Sequence, residues 1–294
     1  MHLGQRSCKI GGSSLKKSLL KKAAKVLMKL KLSHLLRIKM NGFVLRFYPS
    51  SVSRVLWVNQ YLGVQSYPEE QRFLTRYLKV GDVVIDVGAN VGFLTLISST
   101  IVGRRGRIYA FEPHPRVYRY LEGNVVLNRA ENVRMFNVAV GERDGIVGFS
   151  DNKKDDDRNV VVCGESFMMV PARRLDQFDF GGDHISLLKI DCEGYEKFVL
   201  EGAIGLLDRV QCVFFEAVES HCLRFGYKCQ ELLTVLLKSG FRLLAVEGED
   251  VCDVSVSSRP RSVRNLIAVR SIDAFLERTR FRLALEVEGC KCQR

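Results

Sequence analysis

The sequence predicts an α/β protein built on a mostly parallel sheet with helices on both faces. Two observations carry this reading. Between residues 83 and 239, short and almost uninterrupted apolar runs alternate with longer segments at helical spacing. The apolar runs also lack the in–out alternation of a strand with one wet face, so both of their faces must be covered, as crossover helices cover them.

The elements follow in order. A strand-like stretch at 43–48 and a mixed segment to Tyr61 lead to a helix over 69–78, opened by Glu69 and Glu70. Val83-Val84-Ile85 starts the core as a buried strand, followed by a helix over 93–102 and a strand at 108–111. Pro115 opens a helix that runs to Asn128, and 133–138 gives the third strand. The alternation pauses over 141–183, where a hairpin carries Lys153-Lys154-Asp155-Asp156-Asp157, a run expected as a solvated loop. It resumes with a strand at 187–190, a helix over 195–206, a strand at 211–215 and a helix over 230–239. The strands at 241–246 and 266–269 lack a long intervening helix, which suits an antiparallel pair at a sheet edge. Seven core strands result.

Composition fits a folded chain of 294 residues with 47% hydrophobic residues and six prolines. Its net charge of +12 is local: twelve of the 45 Lys and Arg, and none of the 33 Asp and Glu, lie in residues 1–50, so the remainder balances. The division expected is a basic extension, 1–50, and one domain, 51–294. The balanced body lacks the bulk signature of a nucleic-acid binder. Nine cysteines, an odd number without repeated spacing, point to a reducing compartment rather than a disulfide framework. Cys290-Lys291-Cys292 has the wrong spacing for a zinc knuckle.

Residues 15–36 read as a basic amphipathic helix. Leu19, Leu20, Ala23, Val26, Leu27 and Leu30 recur at helical spacing, with Lys17, Lys21, Lys22, Lys25 and Lys29 over much of the remaining surface. No window of 18 charge-free apolar residues exists, which excludes a membrane-spanning helix. Adsorption to an anionic membrane face, organelle targeting, RNA contact, or simple packing on the body remain as roles. The expected location is intracellular, cytoplasmic or peripheral at a membrane face.

The chemistry concentrates at strand ends. Residues 82–92 read DVVIDVGANVG: a buried strand ends at Asp86, and Gly88 and Gly92 bracket a tight turn with Asn90 at its centre. Such a turn lets backbone approach a ligand, and the following helix N-terminus favours an anionic group. The three-glycine nicotinamide fingerprint and the P-loop Lys-Ser/Thr are both missing. Glu112, twenty residues beyond Gly92, is placed to accept the hydroxyls of an adenosine ribose. Together these suggest an adenosine-containing cofactor.

Five ordered motifs sharpen this. They are Val84-Ile-Asp-Val-Gly-Ala-Asn-Val-Gly92, Phe111-Glu-Pro-His-Pro115, Asn137-Val-Ala-Val-Gly141, Leu175-Asp176 and Leu188-Lys-Ile-Asp-Cys-Glu-Gly-Tyr-Glu196. With these, residues 66–270 closely resemble the FkbM-type methyltransferases, which use S-adenosyl-L-methionine. The resemblance implies a Rossmann-like sheet in the order 3-2-1-4-5-7-6 with strand seven antiparallel. It maps residues 86–92 onto the methionine end of the cofactor, Glu112 onto its ribose, and Asn137 and Ala139 onto the adenine neighbourhood. It further implies O-methylation of a hydroxyl on a small molecule or sugar. Cys192 departs from the aliphatic residue common at its position.

Lys189 and Asp191 point to the same side at the end of strand four, where parallel sheets place ligands, and Glu193 and Glu196 follow. These carboxylates would orient an acceptor hydroxyl, take its proton, or hold a divalent cation that does both. Glu196 is also read as a surface residue of the next helix. Glu216, directly after strand five, is expected to complete the pocket, with Glu219 and His221 nearby. Two other functions fit the sequence: RNA methylation with the lysine-rich lead as affinity arm, and a membrane-associated adaptor that keeps the fold without catalysis.

Overall fold

A computed structural model of the chain describes residues 10–151, 160–162, 168–182, 184–254 and 265–284. The run at 153–157 lies outside the described residues.

The core strands are β3 (Val83–Val87), β4 (Arg107–Phe111), β5 (Val133–Phe136), β9 (Leu187–Ile190), β10 (Cys212–Glu216), β11 (Arg242–Glu247) and β13 (Asn265–Val269). Within a nine-stranded sheet they stand in the order β11-β13-β10-β9-β3-β4-β5. The first five pair in parallel, and β13 runs antiparallel to both β10 and β11. Counted in chain order this is 3-2-1-4-5-7-6. Two further strands, β12 (Asp250–Asp253) and β14 (Arg282–Leu283), extend the edge beyond β11.

Alternate strand residues face two separate cores. Val84, Ile108, Leu187 and Phe214 join one, Ile85, Tyr109, Leu188 and Phe215 the other, so each central strand reads as continuously apolar. Helices α3 (Pro68–Tyr77), α4 (Phe93–Val102) and α5 (Pro115–Leu127) contribute Phe73, Leu96 and Leu121 to the first core. Helices α6 (Glu196–Glu201), α7 (Ile204–Leu207) and α9 (Cys229–Lys238) contribute Val199, Leu206 and Leu232 to the second. The helix expected over 195–206 is thus split in two, at Gly202-Ala203, where glycine is a poor helix former. Short helices α8 (Glu219–Leu223) and α10 (Ile272–Thr279) complete the layers.

The pause at 141–183 is a small sheet of its own. In it β8 (Met168–Arg173) lies between β6 (Ala139–Val140), to which it is parallel, and β7 (Gly145–Phe149), to which it is antiparallel.

The boundary expected at residue 50 is not where the body begins. A hairpin of β1 (Arg37–Lys39) and β2 (Val44–Arg46) precedes α2 (Ser51–Leu62), and Ile38, Phe43, Leu45 and Phe47 are buried in the first core. Asn124 Oδ1 accepts from the Arg46 amide at 2.9 Å, and Asn128 both accepts from the Val44 amide and donates to its carbonyl. Basic side chains at the ends of these strands hid a buried interior. Helix α1 (Ile10–Lys29) packs on α2. No described helix is long and apolar enough to cross a membrane. Among the described residues no disulfide joins Cys192, Cys212, Cys222, Cys229 and Cys252.

Candidate active site

Parallel strands β3, β4, β9 and β10 bring the ends that carry Val87, Phe111, Ile190 and Glu216 to one edge. There the β3–α4 turn folds over β4: the amides of Gly88 and Ala89 both donate to the Phe111 carbonyl at 3.0 Å. Gly88 has φ of +79°, and a Cβ there would sit 2.0 Å from the Asp191 carbonyl oxygen. Only glycine lets these two strand ends lie side by side. Asn90 also takes a left-handed conformation, with its Oδ1 accepting from the Val91 amide at 2.8 Å. Gly92 precedes the first turn of α4.

Glu112, 6% exposed, is clamped beneath that turn. Its Oε2 accepts from the Asn90 amide and its Oε1 from the His114 amide, both at 2.9 Å. Burial pushes its carboxyl up to about 7, in spite of those two N–H groups and the Lys189 ammonium. Asn137 braces it from behind, donating to the carbonyls of Glu112 and Pro113.

Asp86 and Lys189 form a buried pair under the turn, Nζ to Oδ1 at 3.0 Å. The other Asp86 oxygen accepts from Thr95 Oγ1 at 2.6 Å, and Lys189 Nζ donates to the Gly88 carbonyl at 2.9 Å. Burial works to lower the Lys189 pKa, but the Asp86 and Asp191 carboxylates outweigh it and hold the ammonium above its ordinary value. The pair therefore pins β3, β9 and α4 together.

Asp191 lies 3.8 Å from Lys189 Nζ, with its side chain 48% exposed at the cavity mouth. The next turn carries Glu193 in a left-handed conformation. Glu196 holds that turn: its Oε1 accepts from the amides of Cys192 at 2.9 Å and Gly194 at 3.1 Å. It is 1% exposed, so the reading of Glu196 as a surface residue is wrong. The helix turns it inward beneath the loop, where burial raises its carboxyl to about 8. Glu216 is also buried, with Oε2 2.7 Å from His221 Nδ1, and Glu193 Oε2 lies 3.4 Å from the same nitrogen. Candidate ligand atoms of Glu193, Glu216 and His221 fall within 4.8 Å of one another. Glu219 instead accepts from the Cys229 amide at the start of α9.

A cavity of about 240 Å³ joins these parts. Of the residues singled out in the sequence, Gly88, Asn90, Glu112, Ala139, Lys189, Asp191, Glu193 and Glu216 line it. Asp86, Gly92, Asn137 and His221 stand behind the wall, where their contacts position residues that do line it. The sequence did not single out Tyr67, Glu70 or Asn265 as site residues, and they too line the cavity. Asn265 Nδ2 donates to Glu70 Oε1 at 3.0 Å, and burial followed by the field of Asp191 raises the Glu70 carboxyl. Glu70 reads locally as a first-turn helix acid and Asn265 as the entry to an edge strand. Only the pairing of β10 with β13 and the packing of α3 bring them together.

Three relatives frame the site. A protein-L-isoaspartate O-methyltransferase of Caenorhabditis elegans is 30% identical over 110 residues, covering 37% of this chain and 48% of that one. The chain therefore matches about half the length of that relative. The hexuronic acid methyltransferase AglP of Haloferax volcanii is 27% identical over 186 residues, covering 62% of this chain and 73% of that one. The 2-O-methyltransferase NoeI of Sinorhizobium fredii is 24% identical over 201 residues, covering 58% and 79%. The family model of the methyltransferase FkbM domain matches residues 86–243, from the acid that anchors the glycine turn to the strand beyond the last cavity carboxylate. With more than half of its length in that match, the chain belongs to the FkbM-type S-adenosylmethionine-dependent methyltransferase family.

Proposed function

We propose that the protein transfers the methyl group of S-adenosylmethionine to a hydroxyl of an uncharged sugar or similar polyol. The observation that carries this is one cavity lined both by the Gly88–Glu112 cradle and by the carboxylates of Glu70, Asp191, Glu193 and Glu216.

The cradle fits the cofactor. At Gly88 the space of a side chain is taken by the Asp191 carbonyl, which holds the two strand ends together, and the backbone of Gly88, Ala89 and Asn90 is part of the cavity wall. Glu112 holds two N–H groups, but a carboxylate has about four lone-pair sites, which leaves capacity for ribose hydroxyls. The backbone of residues 88–90 would hold the methionine end, Glu112 the ribose, and Ala139 with Val138 and Val140 the adenine side. When bound, the cofactor supplies a methyl group already activated on sulfur.

The chain's own task is then to place an oxygen, take its proton and keep water out. Glu70, Asp191, Glu193 and Glu216 all line the cavity and can accept hydrogen bonds from acceptor hydroxyls. Asp191, at the mouth and open to solvent, is the group assigned to receive the proton. Tyr67, Phe93 and Val52 give the opposite wall an apolar surface. His221 holds Glu216 and does not reach the cavity, so it serves as a positioning residue.

Two of the relatives, a hexuronic acid methyltransferase and a 2-O-methyltransferase, support a sugar-like acceptor. The charge of the wall argues for a different sugar from the first. Lys189 is the one cation among the described lining residues, and it is already paired with Asp86, whereas five acidic residues, Glu70, Glu112, Asp191, Glu193 and Glu216, line the space. Partners in and behind the wall, Lys189 for Asp191, Arg224 and His221 for Glu193 and His221 for Glu216, offset part of that charge, but an acceptor carrying its own carboxylate would still meet an excess of acids.

Transfer of label from methyl-labelled S-adenosylmethionine to neutral glycosides, uronates and RNA, compared side by side, tests the assignment. Preference for neutral glycosides supports it. Preference for uronates removes the charge argument, and transfer to RNA alone overturns the acceptor class. Cofactor binding without transfer to any of them favours the adaptor reading.

A further inference from the structure

We propose that α1 is a two-faced anchor, holding the protein body with one face and an anionic lipid surface with the other. The apolar residues that the sequence offers as one stripe divide in the structure. Leu20, Ala24, Leu27 and Met28 form a row that packs into the core beside α2. Leu15, Leu19, Val26 and Leu30 form a second row, and they are 65%, 57%, 55% and 60% exposed. At 100° per residue the centres of the two rows stand about 135° apart around the helix, which makes them separate faces. Lys21, Lys22, Lys25 and Lys29, all exposed, form an arc that borders one side of the outward row, and α1 contains no acidic residue.

Packing on the body accounts for the first row only. The second places large aliphatic groups in water next to a continuous arc of ammonium groups, and the choice of occupant must satisfy both. A second copy of the helix would bring like charges together. A nucleic-acid backbone would neutralise the lysines but leave the leucines wet. An anionic bilayer surface meets both demands at once, because its acyl boundary takes Leu15, Leu19, Val26 and Leu30 while its headgroups take the lysines. The helix also sits next to the cavity: α1 packs on α2, and Val52 of α2 is part of the cavity wall. Lipid bound to α1 would thus hold the cavity one helix away from the interface. The inference rests on α1 alone and stands whatever the acceptor proves to be.

The test is sedimentation of the full chain with phosphatidylcholine vesicles, with and without phosphatidylserine. Two variants are compared, L19E/V26E on the apolar row and K21Q/K22Q/K25Q/K29Q on the charged arc. All six positions are exposed, so unchanged melting temperatures and cofactor affinity are expected for both. Binding should require phosphatidylserine and should fall about tenfold or more in each variant, about 1.4 kcal/mol at tenfold. Added salt should weaken wild-type binding. Three results would overturn the proposal: no sedimentation with phosphatidylserine vesicles at low salt, sedimentation unchanged in L19E/V26E, or a wild-type dimer that L19E/V26E dissociates. The last would assign the outward row to a second copy. RNA binding lost only in the lysine variant, without vesicle binding, would assign the arc to nucleic acid.

Discussion

Replacing Glu112 by Gln offers the sharpest probe of the cofactor cradle. Ala is the wrong choice, because it would orphan the amides of Asn90 and His114, at about 1–3 kcal/mol for each unsatisfied group. Gln removes the charge and keeps one acceptor oxygen, so it leaves one of the two amides, not both, without an acceptor and costs about 1–3 kcal/mol of folding stability there. Hydrogen bonds from ribose hydroxyls to a carboxylate are worth about 1.5–3 kcal/mol, against about 0.5–1.5 for a neutral acceptor. The expected loss in affinity for S-adenosylhomocysteine is therefore about tenfold, for a difference of about 1.4 kcal/mol. The pH dependence is more telling than the size. The free wild-type carboxyl sits at about 7, and the ribose favours its ionised form, so wild-type affinity should strengthen as pH rises from about 6 to about 8. The E112Q affinity should stay flat over that range. The sign for folding is opposite: a carboxyl raised above its ordinary value costs stability as pH climbs towards 7, and Gln has no such cost. Calorimetry at three pH values, with a melting curve for each protein, separates binding from folding. Equal affinities with the same flat profile in both proteins would refute the assignment of Glu112 to the ribose.

Three more outcomes are expected. Asp191→Asn should keep the fold and most of the cofactor affinity while lowering methyl transfer by roughly 10²–10⁴-fold, measured by label transfer; near-normal transfer would return Asp191 to a structural role. Glu196→Gln should be mild near neutral pH, because burial to about 8 already keeps the carboxyl protonated, and its melting temperature should gain on wild type as pH rises from about 5 to 8. Glu196→Ala should instead lose about 1–3 kcal/mol in denaturant titration for each amide it leaves without an acceptor. If Glu193, Glu216 and His221 hold a divalent ion, chelation should abolish transfer and metal should restore it; transfer indifferent to chelator leaves proton handling to the carboxylates alone.

What the sequence made legible follows from how local each signal is. The strands at 83–87, 107–111, 187–190 and 212–216 are buried on both faces, and the resulting apolar runs stand out one residue at a time. Turn chemistry was equally local: Gly88, Asn90 and Gly92 all need positive φ, and the residue types announce it. Strands β12 and β14, four and two residues long, are too short for any periodicity to register. Asp86 and Glu196 show the limit of reading roles from strand-end position. Both are acids at a ligand-bearing edge, yet each is buried and engaged, Asp86 by Lys189 and Thr95, Glu196 by two loop amides. A carboxylate beside a cavity can shape it without facing it, and sequence spacing does not distinguish the two cases. Glu70 and Asn265 are the converse, facing the cavity from positions 195 residues apart. They also lie outside the 86–243 family match, on elements that add to the cavity wall. The common domain thus supplies the cradle and the central acids, while flanking segments of this chain supply the part of the cavity wall that, on the proposed function, would meet the acceptor. Specificity should accordingly respond to changes at Tyr67, Glu70 and Asn265 more than to changes in the cradle.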